Sequence, residues 1–198
     1  MVIDVYIEKA NQMWFGVALK GESVIATNFA STKEKLLDGL RQNVPSSSFS
    51  EVPRKSELAE KVIEDLKSVY DGKEPSHSFM FAKDQLPKYT WKILEAVCKV
   101  PEGYVTSYGE VSKAMGGSPR AVGQIMARNP FAPLCPCHRV VRSDFTLGGY
   151  GGGLDVKLAF LKREKRGYNS ENEIALNGRK LKVFPVERAI KKAEENKR

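Results

Sequence analysis

The chain has 198 residues, with 32 Lys and Arg against 24 Asp and Glu, a formal charge of +8 and a pI near 9.3. That size is enough to bury a core without staples, and the charge favours an anionic partner, nucleic acid before membrane. No apolar run is long enough to span a bilayer, no charged-then-apolar leader opens the chain, and three cysteines give no secreted disulfide framework, so reduced thiols in the cytoplasm, or in the nucleus where the source has one, are expected; the chain is also expected to be a monomer.

Residues 2–8, 14–19 and 24–28 alternate apolar and polar side chains, which predicts three short strands. Ser31 or Thr32 then caps a helix to about residue 40, and Asn43-Val44-Pro45-Ser46-Ser47-Ser48 reads as a loop. Leu58, Val62, Ile63, Leu66 and Val69 place a helix over 56–70. Residues 1–84 are thus expected to form an α/β scaffold domain, a small three-stranded sheet with helices. It has no cysteine and no glycine-rich phosphate loop, and His77 is expected at its surface.

Residues 85–168 are expected to form a mainly α domain containing a helix-turn-helix. A helix over 89–99 sets Trp91, Leu94, Val97 and Cys98 on one face, with Cys98 as a core thiol. Tyr104-Val105-Thr106 is an extended link. Ser107 and Glu110 make a capping box for a helix to about 115, and Gly116-Gly117 is a turn. Ser118 caps the next helix, 119–128, with Pro119 in its first position. Val122, Ile125 and Met126 point to the core, while Arg120, Gly123, Gln124, Ala127 and Arg128 share the other face. Two cations flanking Gly and Ala suit a phosphate backbone; an ordinary solvated face fits the spacing equally well.

Residues 148–153, Gly-Gly-Tyr-Gly-Gly-Gly, are either a flexible loop or a phosphate cradle, but they match no Walker or dinucleotide pattern. A helix over 155–166 turns Val156, Ala159 and Phe160 inward. Glu164 continues that face, where it needs a partner unless it reaches solvent among Lys162, Arg163, Lys165 and Arg166. Residues 169–198 form a basic extension with a short strand at 180–184. Its last helix carries Val186, Ala189, Ile190 and Ala193 as a thin stripe that either docks or adds affinity for DNA.

The densest signal is Asn129-Pro130-Phe131-Ala132-Pro133-Leu134-Cys135-Pro136-Cys137-His138-Arg139-Val140-Val141. Three prolines forbid helix and make a rigid loop feeding a strand. Within it, Pro136-Cys137-His138-Arg139-Val140 resembles the active-site signature of the O6-alkylguanine-DNA alkyltransferases, and the resemblance runs over about 86–167. Neighbours in an extended strand point to opposite sides, so a direct Cys137–His138 pair is not expected. The resemblance implies instead a Cys137–water–His138–Glu164 relay. It also implies Tyr108 donating to the leaving base, Asn129 fixing the turn before the nucleophile, and Arg120 as a finger in the gap left by a flipped base. Arg120-Ala-Val-Gly would open a recognition helix in the minor groove, with Gly123, Gln124, Ala127 and Arg128 along the DNA. Tyr150 would stack on the base beside the amides of Gly151 and Gly152.

The implied activity is single, stoichiometric transfer of an alkyl group from O6-alkylguanine in duplex DNA, with O4-alkylthymine as a second substrate. No cofactor is needed, and no zinc is expected because His77 is the one Cys or His before Cys98. Ala132 stands where the human-type members have proline, implying a wider pocket. Cys135 is either a packing residue or a second alkylation site. The competing readings are a helix-turn-helix regulator, a lesion-binding protein without transfer, a cysteine hydrolase, and a metal site from Cys135, Cys137 and His138.

Overall fold

The computed structural model describes residues 2–44, 49–53, 56–176 and 178–196, so most of the Pro/Ser loop expected at 43–48 lies outside the described residues. The chain forms two compact units. One comprises Met1–Tyr70, Glu74–Leu86 and Pro130–Leu134; the other comprises Asp71–Lys73, Pro87–Asn129 and Cys135–Arg198.

In the first unit, β1 (Ile3–Ala10), β2 (Met13–Lys20) and β3 (Ser23–Ala30) form an antiparallel meander in which Val5 faces Ala18 and Val17 faces Thr27. The expected three-stranded sheet is corrected to five. Phe49–Glu51 (β4) adds parallel to β1 and Met80–Phe81 (β5) adds parallel to β3, giving the order β4-β1-β2-β3-β5. Segments of three and two residues are too short to display an alternating pattern, so periodicity could not find them.

Helix α1 (Lys33–Arg41) starts at Thr32, whose hydroxyl accepts from Lys35 N at 3.3 Å. It buries Leu36, Leu37 and Leu40 against Ile3, Val5, Ala18 and Ile25, each worth roughly 2 kcal/mol of apolar transfer. The helix lies so close to β2 that a Cβ on Gly16 would sit 3.1 Å from Leu36 Cδ2 and Leu40 Cδ1.

Helix α2 (Glu57–Tyr70) buries Ala59, Val62, Ile63, Leu66 and Val69, and with them the carboxylate of Asp65. Asp65 accepts the backbone N–H groups of Ser76 and His77, both at 2.9 Å, and lies 3.1 Å from His77 Nδ1. His77 is therefore half-buried and held by Asp65, where a surface residue was expected.

The helices of the second unit pack with a sheet that was not expected, two of its strands lying beyond residue 168. Beside α3 (Lys88–Val97), α4 (Tyr108–Met115), α5 (Pro119–Ala127), α6 (Leu154–Arg163) and α7 (Val186–Glu195), the unit holds a four-stranded sheet. β6 (Tyr104–Ser107) occupies the expected link and is flanked by β7 (Val140–Val141) in parallel and β9 (Arg179–Pro185) antiparallel. β8 (Asn172–Leu176) closes the order β7-β6-β9-β8. In that antiparallel pair Leu176 faces Arg179 and Ile174 faces Leu181.

The caps at the two helix starts hold. Ser107 Oγ accepts from Glu110 N at 3.0 Å and Ser118 Oγ from Ala121 N at 3.2 Å. The stripe Val186, Ala189, Ile190 and Ala193 is buried with Val105, Val141, Leu147, Leu158 and Leu161, so the last helix docks.

Candidate functional site

The loop after α5 ends in a single 3₁₀ turn, Cys137–Arg139, followed at once by β7. Cys137 N donates to Cys135 O at 2.8 Å and Arg139 N to Pro136 O at 2.9 Å. This corrects the expected extended geometry around the thiol. With about three residues per turn, successive side chains diverge by about 120°, so Cys137 and His138 still leave the backbone in different directions.

His138 is fully buried, its ring stacked on Phe160 with centroids 4.6 Å apart. Its Nε2 lies 2.7 Å from Glu164 Oε1. Helix α6 ends at Arg163, three residues short of the expected end, and this makes Glu164 its buried C-terminal cap. The same carboxylate accepts from Arg139 Nε at 3.1 and 3.0 Å and from Arg139 Nη2 at 2.9 Å, while Arg139 Nη1 donates to Val100 O at 2.6 Å.

Burial pushes the Glu164 carboxyl up, but attraction and hydrogen bonds from His138 and Arg139 together outweigh it and hold the group at about 2. Burial wins the opposite contest at His138: it lowers the imidazole below its ordinary value despite the pull of Glu164. Arg139 is the permanent cation, so the cluster is an ionised Glu164 between Arg139 and a neutral His138. A carboxylate only accepts, which puts the imidazole proton on Nε2. His138 Nδ1 then keeps its lone pair, and among the described residues it has no hydrogen-bond partner.

The Cys137 thiol is buried, and burial raises its pKa; a hydrogen bond from the Asn129 side chain and the charge of Lys157 pull it back down. Asn129 Nδ2 also donates to Cys135 O at 2.8 Å, so one amide braces the turn before Cys137.

Lys157 was missed in the sequence. Its ammonium is fully buried, donates to Val140 O and Leu147 O at 2.6 Å each, and lies 6.0 and 5.9 Å from the ring centroids of Tyr108 and Tyr150. Burial lowers it to about 8, against the opposing pull of the Cys137 charge. Helix α6 turns Lys157, Leu158, Phe160 and Leu161 inward and leaves Val156 and Ala159 half-buried, a rotation of the expected face. Position 157 lies three and four residues before Phe160 and Leu161, so it belonged to the buried stripe. Arg139, inside the signature, was likewise not singled out.

Tyr108 opens α4 and is half-buried; burial, then the Cys137 charge, raise its hydroxyl, with Arg142 opposing. Gly148 (φ 68°) lets the loop pass so close that a Cβ there would be 3.0 Å from the Tyr108 Cε2 and Oη. Tyr150 is half-buried with its hydroxyl pushed well above the ordinary value, chiefly by burial, so both phenols keep their protons. Gly151 and Gly152 are exposed.

On α5, Arg120, Gln124, Ala127 and Arg128 are exposed, whereas Val122 and Met126 are buried. Gly123 is half-buried, and a Cβ on it would lie 3.9 Å from the Tyr108 ring, so this helix face borders the tyrosine.

The structure thus gathers Cys137, His138, Glu164, Asn129, Tyr108 and Tyr150 around Lys157 and Arg139. Cys98 departs from expectation: it is the C-cap of α3 and exposed, while Cys135, like Cys137, is buried and donates to Leu94 O at 3.3 Å. Ala132 groups with the first unit, its carbonyl accepting from Thr27 Oγ1 at 2.9 Å. Among the described residues, no group of three or more His, Cys, Asp or Glu is placed to hold a metal ion, and no helix is long and apolar enough to cross a membrane.

Residues 88–166 match the family described as 6-O-methylguanine DNA methyltransferase, DNA binding domain. A methylated-DNA–protein-cysteine methyltransferase of Pyrobaculum aerophilum is 55% identical over 65 residues, 33% of this chain and 44% of that protein. The enzyme of the same name from Methanocaldococcus jannaschii is 30% identical over 159 residues, 80% of this chain and 92% of that protein. The solved O6-methylguanine-DNA methyltransferase of Pyrococcus kodakaraensis superimposes with a TM-score of 0.63 at 28% identity, covering 82% of this chain and 99% of that one. The similarity to the Methanocaldococcus protein runs nearly its full length, and the chain belongs to the methylated-DNA–protein-cysteine methyltransferase family.

Proposed function

We propose that this protein repairs DNA by direct reversal, moving the alkyl group from O6 of guanine in duplex DNA onto Cys137, once per molecule. The observation that carries the reading is His138. Its Nε2 is held by an ionised carboxylate and its buried Nδ1 has no hydrogen-bond partner among the described residues, within the same 3₁₀ turn as a buried thiol. A thiol must ionise to attack. The Cys137 proton passes through a bridging water to His138 Nδ1, and the imidazolium so formed is stabilised by Glu164. The thiolate, offset by Lys157, attacks the alkyl carbon; the S–C bond forms as the C–O6 bond breaks, and the electron pair leaves on guanine. The protonated Tyr108 hydroxyl donates to that base as charge develops. The thioether is inert to water, so the protein is consumed. No cofactor enters the balance.

In this reading α4, the Gly116-Gly117 turn and α5 act as a helix-turn-helix, with α5 in the minor groove and Arg120 filling the space of the flipped base. Gly123, Gln124, Ala127 and Arg128 follow the DNA. Tyr150, with Gly151 and Gly152, walls the pocket for the extruded guanine. Extrusion costs a few kcal/mol, which minor-groove contacts and DNA bending offset. Residues 1–84 serve as scaffold, 85–168 carry DNA binding and transfer, and the protein works in the cytoplasm as a monomer.

Intact-protein and peptide mass spectrometry after incubation with duplex DNA containing O6-methylguanine tests this. One methyl on the Cys137 peptide, stopping at one per molecule and absent from Cys137→Ala, is the expected result. Methyl on Cys135 would move the site. Tight binding with no adduct would leave a lesion-binding protein or a regulator.

A further inference from the structure

The turn between α4 and α5 has little in its own backbone to hold it. Gly116 (φ 87°, ψ 171°) and Gly117 (φ 87°) both sit at positive φ, and the first lies in a region essentially closed to side-chain-bearing residues. Two consecutive glycines impose no preference of their own and lose the most conformational freedom on ordering.

Three side chains supply what the turn lacks. Arg179 Nη1 donates to Ala114 O, Lys92 Nζ to Met115 O and the Tyr89 hydroxyl to Gly116 O, each at 2.8 Å. These are three successive carbonyls, the acceptors that a helix C-terminus leaves without internal partners. Two of the donors are cations at the negative end of the α4 dipole. The tyrosine comes so close that a Cβ on Gly117 would fall 2.0 Å from its Oη, so the glycine is required by the contact itself.

We infer that Arg179, Lys92 and Tyr89 clamp the α4–α5 turn and thereby fix the angle at which α5 meets duplex DNA, Arg179 being the C-terminal segment's contribution to DNA engagement. The inference rests on α5 as the DNA-facing helix. Its mechanical basis is the sheet. β6 runs directly into α4 through the Ser107 cap, β9 pairs with β6 at Tyr104–Pro185 and Val105–Phe184, and β9 begins at Arg179. One strand thus sets the start of α4 and its neighbour sets the end. Arg179 lies outside the 88–166 family match, so the match does not include this prong. All three are positioning residues.

The test uses the full chain with Arg179→Gln, Tyr89→Phe and Arg179→Lys. Three quantities are read: the transfer rate from an O6-methylguanine duplex, the rate with free O6-benzylguanine, and duplex affinity across a salt series. Loss of one prong should slow duplex transfer and weaken duplex binding by about fivefold, the size of one cation–carbonyl contact at a helix end. The free base needs no docked helix, so its rate should stay within about twofold, and Arg179→Lys should recover part of the duplex rate. The salt slope should not change, because Arg179 spends its donor on Ala114 rather than on a phosphate. Unchanged duplex binding, a parallel fall in both rates, or a salt slope reduced by about one would overturn the clamp. A wild-type chain inert towards both substrates would sink the alkyl-transfer reading instead, and the binding series would still decide the clamp.

Discussion

Each unit of this protein buries one carboxylate against a histidine, and the two arrangements do different work. Asp65 in the first unit accepts two backbone N–H groups and a ring N–H, all from Ser76 and His77. Glu164 in the second accepts from His138 and the fork of Arg139. Asp65 spends its charge tying down a loop whose backbone donors would otherwise be orphaned. Glu164 is neutralised by a side-chain cation, and the imidazole it holds keeps a buried nitrogen with no hydrogen-bond partner among the described residues, in the same turn as a buried thiol. A carboxylate–histidine pair is therefore no mark of chemistry by itself. The distinguishing features are the second ring nitrogen and what lies within its reach.

Neutralising the two carboxylates should separate them most widely. Glu164→Gln leaves Arg139 as an uncompensated buried cation and should cost about 3–5 kcal/mol in urea unfolding, with alkyl transfer lost from the molecules that stay folded. Asp65→Asn should cost about 1–3 kcal/mol, with the single-turnover rate unchanged. The double variant Arg139→Met/Glu164→Gln sharpens the contrast, since removing both members of a buried pair is often nearly neutral. Stability should largely return in it and transfer should not. If transfer returned as well, Glu164 would be a structural residue like Asp65.

Lys157 should give the next effect, and it acts through pH. Its folded-state pKa lies near 8, below the ordinary lysine value of 10.5, because burial penalises the charge. The unfolded chain therefore binds more protons between those values, so this group's penalty on folding is full below pH 8 and fades as pH rises to about 10.5. The stability difference between wild type and Lys157→Met should rise over that window. In the transfer reaction the same variant removes the cation that lowers the Cys137 thiol. The rising limb of its rate–pH curve should move to higher pH, with the rate at pH 7 down by about tenfold, roughly one pKa unit. A limb that stays in place would remove Lys157 from the account of thiol activation.

What could be read from the sequence follows the range of the interactions. Thr32, Ser107 with Glu110, and Ser118 with Pro119 were legible because a cap is settled within four residues. The thiol loop was legible because prolines announce rigidity and the signature is contiguous. β4 and β5 were not, since strands so short exist only through the neighbours they join. Lys157 and Arg139 were not, because burial of a cation is decided by carbonyls and a carboxylate elsewhere in the chain. Cys98 misled for the opposite reason. Its spacing fits an apolar stripe, but it is the C-cap of α3, past the last buried turn, and is exposed.

The smallest effect in the comparison should come from His77→Gln, set against the same change at His138. The His77 ring gives Asp65 one of three hydrogen bonds and is partly exposed, so its loss should cost about 1 kcal/mol, with transfer unaltered. The matching change at His138 removes the proposed base for the thiol proton and should slow transfer by about 10²–10⁴-fold. Glutamine can still donate to Glu164 from its amide, so the Arg139–Glu164 pair survives and stability should fall far less than in Glu164→Gln. The two variants therefore remove the same ring from opposite ends of the comparison, one read by urea and the other by single-turnover rate. Equal rates in both would mean that the partnerless nitrogen of His138 carries no proton, and the distinction between the two carboxylates would reduce to packing.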